Sequence, residues 1–169
     1  MGGDEYEQVV RSHKDRVHSY AAWMLHDVDS ARDITQEVLV RLWVHRDKVK
    51  PATAAAWLMR TTHNLCIDRT RRRRVRPQTD PEILDTMEDA GLPGPERRAH
   101  SGELALAIGK ALASLPARDR SAVLMREVQG MSYNDIAKVL EVPLGTLKAV
   151  LHRARDRLRT ELVSAGVKP

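Results

Sequence analysis

The stretch MSYNDIAKVLEVPLGTLKAVLHRARDRL, residues 131–158, decides the architecture of the C-terminal half of the chain. Ser132 followed three residues later by Asp135 is a helix N-cap pattern, and it predicts a short helix over YNDIAKVL. The segment EVP forms a tight turn, and Pro143 stands where a second helix can begin. The stretch therefore predicts two helices joined by a short turn.

The second helix of this pair has one apolar face and one mixed face. The residues predicted to point inward recur at helical spacing and are Leu147, Leu151, Ala154 and Leu158. The outward face carries Gly145, Lys148, Ala149, His152, Arg153 and Asp156. Small residues allow close approach to a DNA major groove, where Lys, Arg and His reach phosphates or base edges. A basic helix pair is as often purely structural, so this spacing alone leaves DNA contact open.

The remaining segments are predicted to be helical because none alternates with period 2. Upstream of residue 131, a stripe ending at Pro116 and the segment ARDRSAVLMREV, which stops at Gly130, indicate two helices. The stripe consists of Leu104, Ile108, Leu112 and Leu115. In the N-terminal half, a first helix runs to DVDS, and a second is predicted to begin at Ser30 with Asp33 as its capping partner. Its inward stripe is Ile34, Val38 and Leu42.

A third N-terminal helix, introduced by Pro51 and Thr53, ends in the run DRTRRRRVRP at residues 68–77. Leu58, Thr62 and Leu65 share one face, and Arg60, Asn64 and Arg71 lie on the opposite one. Cations in a last helical turn suit the helix dipole. The arginine run taken by itself is consistent with a nuclear-import signal, with a solvated surface segment and with a nucleic-acid-binding segment.

Charge reverses sharply after this helix. Residues 60–76 hold seven arginines against one acid, whereas residues 80–103 hold seven acids against two arginines and are rich in Pro and Gly. Such a segment is typical of a linker. The chain is therefore predicted to be all-α, with two small helical domains at 4–76 and 101–165 joined by a flexible acidic linker at 77–100.

Composition excludes several classes of protein. The chain has 169 residues, a net charge of +5 and no long apolar run, so we expect no membrane segment. The N-terminus lacks the pattern of a signal peptide and Cys66 is the single cysteine, which favours a reducing cytoplasm. His63 and Cys66 lie one turn apart, but a structural zinc site needs about four ligands and no second pair offers itself. No Gly-rich phosphate loop or nucleophile with a placed base supports an enzyme, and no cofactor is expected.

Two segments carry a resemblance to a known family. DSARDITQEVLVRLWVHRDKVKPATAAAWLMRTTHNLCIDRTRRRR resembles region 2 of bacterial extracytoplasmic-function (ECF, group IV) RNA polymerase sigma factors, whose pattern is close to DAEDLVQEVFLRLW followed by AWLxRIARNLxxDxxRRRR. ALASLPARDRSAVLMREVQGMSYNDIAKVLEVPLGTLKAVLHRARDRLR resembles their region 4, close to ALxxLPxRxRxVLxLRExxGLSYxEIAxxLGIPxGTVKSRLxRARxxLR. The two segments cover about residues 16–162, in the family's order.

The resemblance implies roles for individual residues. The residues implied to bind the clamp helices of the polymerase beta-prime subunit are Asp33, Gln36, Glu37, Arg41 and Trp43. Contact with the melted minus-ten element falls to Lys50, Trp57, Arg60, His63, Asn64, Arg71, Arg72, Arg73 and Arg74. Contact with the minus-35 duplex falls to Thr146, Lys148, Ala149, His152, Arg153 and Arg155. The family's KSR is Lys148, Ala149 and Val150 here, so one hydroxyl and one cation of that pattern are missing.

The resemblance thus implies a non-catalytic sigma factor of the bacterial cytoplasm that gives core RNA polymerase promoter specificity. It also implies a cognate anti-sigma factor as a partner. A stand-alone helix-turn-helix regulator is the alternative, although such a protein has no need of the acidic docking helix. A module whose basic face binds an acidic protein is a further alternative.

Overall fold

A computed structural model describes residues 1–75 and 98–168, and within these residues all regular structure is helical. The helices are α1 (Gly3–Leu25), α2 (Val28–Val44), α3 (Pro51–Val75), α4 (Arg98–Ala113), α5 (Ala117–Val123), α6 (Tyr133–Leu140) and α7 (Leu144–Ser164). The predicted all-α class is confirmed. Most of the predicted linker, from residue 76 to 97, lies outside the described residues, and the predicted domain bounds stay a prediction.

The three N-terminal helices pack against one another around α1. The predicted stripe of α2 is buried, with Ile34, Val38 and Leu42 at most 1% exposed. It meets the inner face of α1, where Tyr20 and Met24 are equally inaccessible. Burial of these large apolar side chains orients α2, so that its opposite face is turned toward solvent.

The start of α2 differs from the prediction. The N-cap is Asp27, whose carboxylate accepts hydrogen bonds from the backbone N–H groups of Asp29 and Ser30. The helix begins at Val28, so the predicted start at Ser30 is two residues too late and the predicted N-cap three residues too late. The cause is that Asp27 and Ser30 are both good capping residues, and Asp27 bonds the Ser30 hydroxyl as well as its N–H group.

The helix-turn-helix is confirmed as α6 and α7. The Ser132 hydroxyl accepts the N–H of Asp135 at 3.1 Å, as predicted for the N-cap of α6. Glu141 ends α6 in the left-handed conformation, with φ 55°, and α7 begins directly after Pro143. Leu147, Leu151 and Ala154 are buried and Leu158 is partly buried, which confirms the predicted inner face of α7.

The end of α5 is a feature that the sequence pattern did not predict. Its last turn widens into a π-helix over Leu124–Val128, so the Gln129 N–H bonds the Leu124 carbonyl at 3.0 Å. Gly130 then reverses the chain with φ 64°, a conformation that glycine adopts without steric cost. Upstream, Leu112 and Leu115 of the predicted α4 stripe are buried, whereas Leu104 is 43% exposed.

The N-terminal half (α1–α3) and the C-terminal half (α4–α7) pack against each other, and their buried apolar residues form one continuous cluster. The contact is made mainly by α5 and the π-helical turn on α1, and by α6 on α3. Among the described helices none is long and apolar enough to cross a membrane.

Candidate nucleic-acid and protein interfaces

The outer face of α2 is built from exposed acidic, polar and apolar side chains. The predicted docking residues Asp33, Gln36, Glu37 and Arg41 are all exposed there. Glu37 and Arg41 are joined by an ion pair of 2.6 Å. The structure thus brings these four residues together on one side of one helix.

Two valines that the sequence analysis missed stand in the middle of this face. Val40 is 61% exposed and Val44 is 66% exposed. At 100° per residue both lie within about 20° of the direction of Asp33. The sequence could have revealed this apolar patch. Helical periodicity places both valines opposite the inward stripe, on the face where a helix without a partner would carry polar residues.

Trp43 lies at the edge of the α2 face and is 45% exposed. Its indole meets Tyr6 of α1 edge-on, with ring centroids 5.0 Å apart, and the Arg46 guanidinium stacks on it at 4.2 Å. The ring is therefore held in position by its neighbours while nearly half of it stays accessible.

The outer face of α3 presents most of the residues predicted for the minus-ten element. Arg60 and Asn64 are exposed as predicted, and so are Lys50 at the start of the helix and Arg71, Arg72 and Arg74 at its end. Trp57 is half-buried and lies beside His45, with ring centroids 5.9 Å apart. The exposed side of α3 therefore carries several cations and the amide of Asn64.

His63 lies on the inner side of α3 and is 8% exposed. Its Nδ1 is 3.1 Å from the Tyr20 hydroxyl. Burial lowers the pKa of His63 to about 4, so the imidazole is neutral at pH 7. Cys66 is also buried, and burial raises the pKa of its thiol to about 12. Both side chains belong to the packing of α3 on α1.

Arg73 differs from its three neighbours in the arginine run. Its guanidinium pairs with Asp27, donates to the Ser30 hydroxyl at 2.8 Å and donates to the Leu25 carbonyl at 3.1 Å. Burial acts to raise the pKa of the Asp27 carboxyl, but bonds from Ser30 and Arg73 outweigh it and hold that pKa below its ordinary value. Arg73 thus fastens the end of α3 to the loop between α1 and α2.

The outer face of α7 carries the residues predicted for the minus-35 element. Thr146, Lys148, Ala149 and His152 are exposed and have the small, polar and cationic character of a groove-reading helix. Arg153 approaches the buried Asp119 carboxylate at 3.4 Å. Arg155 donates to Glu127 at 2.9 Å and lies 3.5 Å from the Tyr133 hydroxyl. In this arrangement both arginines therefore have acidic partners within the C-terminal half.

Comparison with known protein families agrees with this geometry. Residues 9–76 match the family described as sigma-70 region 2, and residues 105–158 match sigma-70, region 4. The first match spans α2 and α3 with their exposed faces, and the second spans the helix-turn-helix.

Three sequence relatives illustrate the similarity. ECF RNA polymerase sigma factor SigE of Mycolicibacterium smegmatis is 37% identical over 93% of this chain, which spans 61% of that protein's length. SigW of Bacillus subtilis is 30% identical, with 94% of this chain and 89% of SigW covered. SigM of Mycobacterium tuberculosis is 35% identical, with 94% of this chain and 78% of SigM covered.

Two solved structures share the fold. One is the sigma factor RpoE of Bartonella quintana in complex with the anti-sigma factor NepR, with a TM-score of 0.75, 23% identity and coverage of 93% of this chain and 96% of that one. The other is CnrH in complex with the cytosolic domain of CnrY, with a TM-score of 0.70, 21% identity and coverage of 94% and 88%. Together with the two family matches and the identity to SigW and SigM, these findings show that the chain belongs to the ECF RNA polymerase sigma factors of the sigma-70 family.

Proposed function

We propose that this ECF sigma factor docks on core RNA polymerase through the outer face of α2 and directs initiation from specific promoters. The observation that carries the proposal is the composition of that face, where acidic and polar side chains flank two exposed valines. Acidic groups at the rim suit a basic partner surface, and exposed apolar residues at the centre suit a desolvated contact. The clamp helices of the beta-prime subunit are the proposed partner.

For the minus-ten element, we propose that the outer face of α3 follows the melted strand. Arg60, Arg71, Arg72 and Arg74 would hold phosphates, whereas Asn64 would pair with a base edge or the backbone. Lys50 and Trp57 lie beside this path. We propose internal roles for His63 and Arg73, because both side chains already have partners within the N-terminal half.

For the minus-35 element, we propose that α7 enters the major groove with Thr146, Lys148, Ala149 and His152 toward the bases. Arg153 and Arg155 would reach phosphates after exchanging their carboxylate partners for DNA oxygens, which a guanidinium binds in the same way. Each of these two DNA contacts is weak alone. Because both surfaces belong to one chain, binding of one promoter element raises the effective concentration of the other surface at its own element.

We also propose a non-enzymatic role in the bacterial cytoplasm and control by an anti-sigma factor. Support for the partner comes from the two structural neighbours, each of which is named as a complex, one with an anti-sigma factor and one with the cytosolic domain of CnrY. A sigma factor adds no chemistry of its own, since the polymerase makes the phosphodiester bonds.

Transcription by core polymerase on a library of promoters tests this function. We expect initiation from a defined set of sites when the protein is added, and weaker initiation and co-purification with Asp33→Ala or Trp43→Ala. The matched control is Glu161→Ala, which removes an exposed acid at the far end of α7. A protein that binds duplex DNA without producing initiation would be a stand-alone regulator, and retention of core binding by both docking variants would refute the proposed surface.

A further inference from the structure

Glu141 is an unusual residue for its position in the helix-turn-helix. It terminates α6 with φ 55°, a left-handed conformation that glycine favours and that other residues adopt at a cost. The region 4 pattern of the family has glycine in this place, in the segment LGIP. A residue that keeps a strained conformation is a sign that its side chain has a use.

The side chain of Glu141 reaches the other half of the molecule. Its carboxylate forms an ion pair of 2.5 Å with the guanidinium of Arg60, 81 positions earlier in the chain. Arg60 belongs to the α3 face proposed for the minus-ten strand. Both side chains are more than half exposed, so the pair is accessible to a competing anion.

Other contacts hold the two halves together, since an exposed ion pair contributes little by itself. Arg16 donates to the side chain of Gln129 at 3.1 Å and to its carbonyl at 2.7 Å. Arg120 donates to the Met24 carbonyl at 2.6 Å, and the buried Ser121 hydroxyl lies 3.5 Å from the Met24 sulfur. This closed arrangement sets α6 against α3 and brings Glu141 to Arg60.

We infer that Glu141 is an internal competitor of promoter DNA, whose carboxylate occupies the guanidinium of Arg60 until a nucleic-acid phosphate displaces it. The inference rests on the proposed minus-ten role of Arg60. Carboxylate and phosphate oxygens bind a guanidinium in the same way, and the negative charge of Glu141 also repels an approaching phosphate, so the two anions compete for Arg60. The Arg60–Glu141 pair includes no residue of the proposed minus-35 surface, so this competition acts on the minus-ten surface.

Fluorescence anisotropy with the full-length protein and a single-stranded oligonucleotide of randomised sequence tests the competition. We expect Glu141→Gln and Glu141→Gly to raise the affinity about two- to fivefold, which is the range that an exposed ion pair allows. Glu161→Gln is the matched control, because it removes the same charge from an exposed site on α7 that has no contact with Arg60. Arg60→Ala should lower the affinity, and Glu141→Gln should add nothing in that background.

The outcomes separate this inference from the proposed function. If Arg60→Ala lowers the affinity but Glu141→Gln does not raise it, or raises it no more than Glu161→Gln, the competition is refuted and the minus-ten role stands. If Arg60→Ala leaves the affinity unchanged, the proposed role of Arg60 fails first. Glu141→Gly should also melt at a higher temperature than Glu141→Gln, because both lack the ion pair and glycine alone relieves the backbone.

Discussion

His26 and His63 are two largely buried imidazoles that stay neutral at pH 7. His26 ends α1 in the left-handed conformation, and within the described residues its Nε2 has no hydrogen-bond partner. Burial, together with the nearby Arg120 and Arg73 guanidinium groups, lowers the pKa of His26 to about 4. Burial alone lowers the pKa of His63 to about 4 as well. Each imidazole therefore takes up a proton when the protein unfolds in mild acid.

The free energy of unfolding should fall as the pH drops from about 6.5 toward 4. In that range the two imidazoles bind protons in the unfolded chain but not in the folded protein. Each of these histidines contributes a slope of up to about 1.4 kcal/mol per pH unit in that window, and neither contributes above it. His63→Gln, whose amide can still bond Tyr20, should remove its share of the slope. Urea unfolding between pH 5 and 7 measures this.

The control for the pH experiment is Val163→Gln, because Val163 is exposed near the end of α7 and the change neither adds nor removes an ionisable group. It should leave the slope unchanged. A slope that is identical in wild type and His63→Gln would show that His63 is protonated as easily in the folded protein as in the unfolded one.

Sequence patterns identified the exposed residues of the site better than the internal ones. Arg60 and Asn64 were placed on the outer face of α3 by helical periodicity, and both are exposed. His63 is one position away from Asn64 and is buried, a difference of about 100° around the helix that a motif alignment does not register. The role of Arg73 depends on Asp27, 46 positions away, and no local pattern encodes that partner.

At the scale of single helices, the sequence predicted each of the described helices, and its errors lie at their ends. The beginning of α2 was misplaced because two capping residues compete within four positions. The π-helical turn after α5 was missed because a single π-helical turn leaves no periodicity of its own in the sequence. Local propensity indicates that a helix forms, whereas tertiary packing determines where it begins and ends.

The arginines at the end of α3 should separate into two functional kinds. Arg73→Ala should lower the free energy of unfolding by about 1 to 2 kcal/mol, because it leaves Asp27 without its cation. Arg72→Ala should leave stability unchanged and lower the log–log salt slope of single-stranded DNA binding by about 0.7, the value for one phosphate that is no longer neutralised. Chemical unfolding and salt-dependent anisotropy measure the two effects.

Each arginine variant serves as the control for the other, since both remove the same side chain from the same helical turn. Equal stability of the two variants would contradict the internal role of Arg73. An unchanged salt slope in Arg72→Ala would mean that this guanidinium stays solvated.

The valines on the outer face of α2 should matter for binding and not for folding. Val40→Glu should change the free energy of unfolding by less than about 0.5 kcal/mol, because the side chain is already exposed. It should weaken binding to core polymerase tenfold or more, which corresponds to about 1.4 kcal/mol, because it places a charge in the centre of the contact. Surface plasmon resonance with immobilised core enzyme measures the affinity.

Val163→Glu is the matched control for the docking face, because Val163 is 53% exposed and lies near the end of α7. It should bind core polymerase as the wild type does. Equal affinity of Val40→Glu and wild type would remove the apolar centre from the proposed docking surface.

The packing of the two halves was beyond the reach of sequence reasoning. Its polar contacts join residues as distant as Arg16 and Gln129, separated by 113 positions, and no local pattern pairs them. The predicted division into two domains also favoured a linker over a direct contact between them. Only the folded chain brings the inner faces of α1 and α5 together in one apolar cluster.

Because this cluster is continuous, we expect wild-type protein to melt in one calorimetric transition. Arg16→Ala combined with Gln129→Ala should uncouple the halves and produce two transitions, the lower one displaced by about 4 to 8 °C for each 1 kcal/mol by which the coupling is weakened. Arg32→Ala, which removes an exposed arginine of α2, is the control and should keep a single transition. Two transitions in the wild type would contradict this coupling.

The chemistry of the contact between the halves carries one more consequence. Arg16 and Arg120 donate to neutral amide and carbonyl oxygens, and the exposed pair of Arg60 and Glu141 is the one ion pair described between the halves, so their contact involves few charges. Promoter binding exchanges cations on DNA phosphates for arginines and weakens steeply as salt rises. We therefore expect a rise in potassium concentration to favour the free protein, with its two halves packed together, over the DNA-bound one.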